Sequence, residues 1–107
     1  MAVAYKVLAQ SAPSATTATT LLTATSATII STLNVANIGA TQDTIRIAVR
    51  PAGASLANQH YIAYGVPLAA GAVYSIQGGL TLANTDVVTV YTTTGNSVFS
   101  AFGSDGN

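Results

Sequence analysis

DVVTVYTTTGNSVFSAF, residues 86–102, contains two runs of alternating side chains, one on each side of Gly95-Asn96. Valine, tyrosine, phenylalanine and threonine favour the extended backbone, and a two-residue connection led by glycine is the signature of a type II′ hairpin. The reading predicts strands over Asp86–Thr94 and Ser97–Phe102, with Thr93 opposite Val98, Thr92 opposite Phe99, Tyr91 opposite Ser100 and Val90 opposite Ala101. One face then carries Val88, Val90, Phe99 and Ala101 and is core-like. The other carries Val87, Tyr91, Val98 and Phe102 among threonines, and neither face is charged.

The same period of two recurs upstream. In Thr44–Arg50, Ile45, Ile47 and Val49 alternate with Thr44, Arg46, Ala48 and Arg50, which places the large aliphatics on one face and both arginines on the other. Pro51 and Gly53 then suit the second and fourth positions of a type I turn. Gln59–Tyr64 reads as a strand with His60, Ile62 and Tyr64 on one side and Gln59, Tyr61 and Ala63 on the other, ended by Gly65 and Pro67. Ala72–Gln77 is a further strand, closed by Gly78-Gly79. Thr28–Asn37 is a longer one in which Ile29, Leu33 and Val35 share a face, and Asn37–Asp43 supplies turn residues. Val3–Leu8 alternates as well. The Ala/Thr/Ser-rich stretch Ser11–Thr28 has no helical stripe and is expected to be extended. Seven or eight short strands without helical periodicity predict an all-β fold, a small antiparallel β-sandwich forming a single domain over residues 1–107.

Three Lys/Arg and three Asp/Glu in 107 residues make the chain 6% charged at formal net charge zero, while half of it is hydrophobic. A domain of this size ordinarily carries about a quarter charged residues. With so little charge to keep copies apart, the surface is suited to lying against other protein. Nucleic acid and anionic membranes are not expected partners, because there is no basic patch. The absence of cysteine removes disulfides and thiolate metal sites. No window reaches the length of a membrane span and no signal-peptide apolar region is recognisable, so the chain is expected to be soluble and unprocessed.

Chemistry is sparsely provided for. One histidine, no glutamate and three scattered aspartates offer no nucleophile–base–orienter set and no metal-ligand cluster. No catalytic residue, cofactor or metal is therefore expected, and the chain reads as a non-enzyme. His60 reads as a semi-buried strand histidine, and Asp86, after Asn84-Thr85, as a turn former bonding nearby backbone N–H groups. The glycines lack the context of a phosphate loop. Exposed tyrosines remain the best contacts, since they anchor protein interfaces and stack on sugars. Tyr61, pointing away from Ile62, forms with Arg46, Arg50, Tyr91 and Phe102 the candidate interface.

KVLAQSAPSATTATTLL (6–22), IRIAVRPAGASLANQHYIAYG (45–65), GLTLANTDVVTVYT (79–92) and VFSAFGSD (98–105) resemble small β-rich virion structural proteins of tailed bacteriophages, especially cyanophages. VRPAGA, HYIAY and TDVVTVY are the most specific pieces, and Leu21–Ser26 and Gly65–Gln77 resemble the group less closely. The resemblance implies a multi-copy particle component and transfers no catalytic or binding residue. It implies a capsid decoration, or cement, protein on the outer surface of the phage head, with the major capsid protein or copies of itself as partners. The alternative it leaves is a tail, neck or baseplate accessory module that adheres to host-surface glycan.

Overall fold

The computed structural model describes residues 5–105. Eight strands follow one another: β1 (Lys6–Ser11), β2 (Thr19–Thr23), β3 (Thr28–Asn37), β4 (Asp43–Arg50), β5 (Tyr61–Leu68), β6 (Val73–Leu82), β7 (Val87–Thr92) and β8 (Ser97–Ser104). They form two four-stranded antiparallel sheets, in the orders β1-β8-β3-β6 and β2-β7-β4-β5. The pairing is concentric: β1 lies on β8, β2 on β7, β3 on β6 and β4 on β5. A long antiparallel hairpin rolled up on itself, with β3–β8 and β4–β7 closing the seams, is a jelly roll. The expected all-β sandwich is what the chain forms.

The inner faces follow the alternation. Leu33, Val35, Phe99 and Ala101 of the first sheet meet Ile45, Ile47, Val88 and Val90 of the second, all fully buried. Each large side chain removed from water in this way contributes about 1.5–3 kcal/mol. Tyr74 and Ile76 from β6 and Leu8 and Ala9 from β1 pack around this centre.

Where alternation is interrupted, the expected faces change. β7 and β8 do not pair, so the hairpin register with Thr92 opposite Phe99 is incorrect. Four residues, Thr93–Asn96, carry the chain across from one sheet to the other, and Val88 and Val90 face Phe99 and Ala101 across the core rather than beside them. Gly95 does adopt a positive φ of 80°. The crossing is braced by Asp43, a buried residue at the start of β4. Its carboxylate accepts the N–H groups of Thr93 (3.1 Å) and Thr94 (3.0 Å) and the hydroxyls of Thr92 and Ser97 (2.5 Å to Ser97). The Thr93 and Thr94 donors are thus engaged by Asp43 as the chain leaves β7.

Bulges account for the other departures. In β3 the register breaks between Ile30 and Thr32 against both neighbours: Ser31 is an extra residue against β8 while two residues of β6 oppose it, and the parity inverts. Ile30 is core and Ile29, expected inside, is about half exposed. Gly78 and Gly79, both at positive φ, lie opposite this bulge, so they bend β6 without ending it. β5 likewise runs on through Gly65 and Pro67 to Leu68. As an edge strand it tolerates proline, and Gly65 at φ 67° is the additional residue of a bulge between Tyr64 and Val66. Gln59 and His60 belong instead to a short 3-10 turn, Asn58–His60. After β4 the Pro51–Ala54 turn has positive φ at both Ala52 and Gly53, with Ala54 N–H bonded to Pro51 C=O, which is type I′ rather than type I. In Ser11–Thr28 the chain places one strand, β2. Val3 and Ala4 lie outside the described residues.

Candidate functional site

The outer face of the β2-β7-β4-β5 sheet gathers most of the residues singled out from sequence. Arg46 of β4 is registered with Tyr91 of β7 on one side and Tyr64 of β5 on the other. A second β5 bulge, where Ile47 pairs with Ala63 but Ala48 pairs with Tyr61, makes Ile62 the extra residue. Ala63 keeps its place in the core, and Tyr61 and Tyr64 come to the same outer face although they are three residues apart. Strict alternation had separated them, which is why Tyr64 was not recognised.

The resulting cluster is an ordered stack. The Arg46 guanidinium carbon lies 4.4 Å from the ring centroid of Tyr64 and 4.4 Å from that of Tyr91. Each such contact contributes about 0.5–1 kcal/mol at a surface. Tyr61 meets Tyr64 edge to face, with centroids 4.8 Å apart and an interplanar angle of 85°. Beside the pair lies an open cleft of about 350 Å³ lined by Asn58, Tyr61 and Tyr64. The Arg46 Nε is buried and has no hydrogen-bond partner.

Arg50 projects from the same face of β4 but is committed internally. It donates from Nε to Thr89 Oγ1 and from Nη1 to Ala54 C=O, both at 3.1 Å, and so holds the Pro51–His60 connection over the sheet. Asp86 holds it from the other side, accepting the N–H groups of Ala52 and Ala83 at 2.9 Å. These two backbone donors keep its carboxyl below the ordinary aspartate range, as its reading as a turn former requires. His60 is buried and accepts the Ala57 N–H on Nδ1 at 3.0 Å, a structural role.

Phe102 is elsewhere. It belongs to the outer face of the β1-β8-β3-β6 sheet, on the opposite side of the molecule. Registered across the four strands there are Val7, Phe102 and Thr32 in one row, Gln10, Ser100, Asn34 and Ser75 in the next, and Val98, Ala36 and Val73 in a third. Gln10 donates to Ser100 at 3.4 Å and Ser75 donates to Asn34, so the middle row is a side-chain hydrogen-bond ladder. None of these residues is charged, and Val7 and Val73 are more than half exposed. At the rim of this sheet a groove of about 550 Å³ lies between Tyr5, Ile29, Leu82 and Gly103.

No family model, curated protein or solved structure matches this chain.

Proposed function

We propose that the chain is a virion structural protein of a tailed bacteriophage, bound to the particle through the uncharged outer face of its β1-β8-β3-β6 sheet. The observation that carries this reading is that face, four strands wide, with exposed valines flanking a polar ladder. Its registered rows (Val7, Phe102 and Thr32; Gln10, Ser100, Asn34 and Ser75; Val98, Ala36 and Val73) are without a charged side chain among the described residues. An exposed face of this composition is suited to burial against another protein surface. The sequence resemblance supplies the particle, and the jelly roll is a fold used in viral capsids and lectins alike, a likeness of architecture that leaves the role to the sites. On this reading the protein is a capsid decoration protein that cements the assembled head. Purified particles should then contain it at the stoichiometry of a capsid lattice position, and particles lacking it should rupture at lower temperature, because a ligand of the intact shell stabilises it by mass action. Its retention should change little with salt, since few charges are available to screen. Copy numbers in the tens with density confined to the tail would overturn the head assignment.

A tail or baseplate adhesion module is the second reading. It is favoured by the Arg46–Tyr61–Tyr64–Tyr91 cluster, which points away from the face assigned to the particle.

A further inference from the structure

Arg46 stands apart from the other charged groups of the fold. Lys6 pairs with Asp105 at 3.0 Å, Arg50 is tied to Thr89 and Ala54, Asp43 is filled by five donors and Asp86 by two backbone amides. Every carboxylate among the described residues is thus engaged away from Arg46. Its guanidinium is covered on two sides by tyrosine rings, while its buried Nε has no acceptor. The guanidinium carbon lies over both rings, and the terminal Nη1 and Nη2 groups are the donors left without a partner among the described residues. Their shared edge is what a carboxylate engages with two parallel hydrogen bonds. The buried Nε lies out of reach of solvent, whereas Nη1 and Nη2 make no side-chain hydrogen bond within the described residues and are the donors an arriving anion would engage.

The cleft beside it specifies the rest of the ligand. Its rings, at 85° to each other, offer one apolar surface and one edge, and the Tyr61 and Tyr64 hydroxyls and the Asn58 amide are hydrogen-bonding groups along it. A pyranose ring has the matching pattern, a C–H face surrounded by hydroxyls. At about 350 Å³ the cleft is near the lower end of the roughly 300–1,000 Å³ of small-molecule pockets, room for a mono- or disaccharide unit. Tyr64 lines the cleft and also carries the guanidinium over its ring, so a ligand in the cleft lies one ring away from the cation. An extended peptide would instead seek the free edge of β5, which the bulges at Ile62 and Gly65 and the missing donor of Pro67 interrupt.

We propose that Tyr61, Tyr64, Asn58 and Arg46 form a binding site for a carboxylate-bearing saccharide, a uronate or sialate unit of a surface glycan. The aromatic pair takes the sugar ring and the Arg46 edge takes its carboxylate. Side-chain positions rather than loop closure build the site, since β4 and β5 hold all the residues except Asn58. The proposal deepens the adhesion reading and rests on it for biological context, but its test uses the isolated protein and can fail without touching the particle assignment.

The experiment is titration of the protein, followed by the tyrosine ring resonances, with trisaccharides of galacturonate, glucuronate and mannuronate and with sialyllactose. The methyl esters of the uronates serve as neutral isosteres, and a capped triglutamate peptide as a carboxylate without a sugar. At least one acidic saccharide should bind at millimolar concentration or below and shift Tyr61 and Tyr64, with its ester about tenfold weaker. Arg46→Gln and Tyr64→Ala should each lose about tenfold, Tyr64→Phe should retain binding, and Gln10→Ala on the opposite sheet should leave it unchanged. Melting curves of the variants separate lost binding from lost folding, and Arg46→Lys supplies a second, less disruptive probe of the in-plane bonds. The proposal is overturned if no acidic saccharide binds, if esters bind as well as acids, if the triglutamate peptide binds as tightly, or if folded Arg46→Gln binds like the parent.

Discussion

The two ends of the sandwich are held by opposite means. At one end Asp43 gathers three backbone N–H groups and two hydroxyls from β4, β7, β8 and the crossing between the sheets. At the other, Gly103 lies against the Ser31 bulge so closely that a Cβ there would overlap the Ile29 carbonyl oxygen. One end depends on a group that is present and the other on a group that is missing. Together they teach that a chain this poor in charge can still fix its topology with very few polar and steric devices.

The largest effect is expected at the carboxylate end. Asp43→Ala takes the acceptor from four donors, the Thr93 N–H keeping the Thr44 C=O at 3.0 Å, and should cost about 4 kcal/mol in chemical denaturation, since each stranded buried donor costs about 1–3 kcal/mol and some recover water. Asp43→Asn keeps Oδ1 for the amides and lets the Thr92 and Ser97 hydroxyls reverse, so about 2 kcal/mol is expected. A loss below about 1 kcal/mol for the alanine variant would show that the crossing holds itself.

Gly103→Ala follows, at about 3 kcal/mol, because the overlap is with backbone that β3 cannot yield without losing its bulge. Ile29→Ala, at the neighbouring exposed position, should change stability by well under half as much. Equal losses would mean that packing, not the close approach, sets this end.

Acid should act most on the Asp43 end, Asp86 at the other being fully at the surface though its carboxyl too is held below the ordinary range. Burial raises the Asp43 pKa, but hydrogen bonds from Ser97, Thr92, Thr94 and Thr44 outweigh it and hold the group at about 2, below its ordinary 3.8. The stabilisation is complete above the unfolded-state value and is lost as pH falls through the folded one. Between about pH 4 and pH 2 this amounts to about 2 kcal/mol, which thermal melts across that window would measure and which Asp43→Asn should remove, leaving the smaller dependence from Asp86.

The smallest effect is a gain. Thr85, a β-branched residue on the surface, sits at φ 78° in the turn before β7. Thr85→Gly should raise stability by up to about 1 kcal/mol, the strain relieved being partly offset by the freedom glycine gives the unfolded chain. A loss there would place the Thr85 side chain among the supports of that end.

Alternation made the faces legible and left the partners hidden. Val88, Val90, Phe99 and Ala101 were recognisable as core because a period of two is local, whereas the crossing at Thr93–Asn96 depends on Asp43, some fifty residues away. Ile29 and Tyr64 were misplaced for a single reason: one extra residue, Ser31 or Ile62, inverts the parity beyond it, and nothing in the side chains of those two residues announces it. In the candidate site Arg46, Tyr61 and Tyr91 were identified from exposure and residue type. Their convergence with Tyr64 was not, because it requires the order β7-β4-β5. Phe102 was assigned to the same patch on the strength of a hairpin that does not form.

The concentric pairing also sets a schedule for synthesis. β4 and β5 are neighbours along the chain and can meet as soon as Leu68 has left the ribosome, but β1 and β2 emerge before them and their partners β8 and β7 after. Such long-range pairing folds slowly, and the nascent chain must wait with β1 and β2 open until β7 and β8 have been made. The threonine, serine and alanine of residues 9–28 then serve a second purpose, keeping that waiting segment hydrated and weakly cohesive until the strands that will cover it have been made.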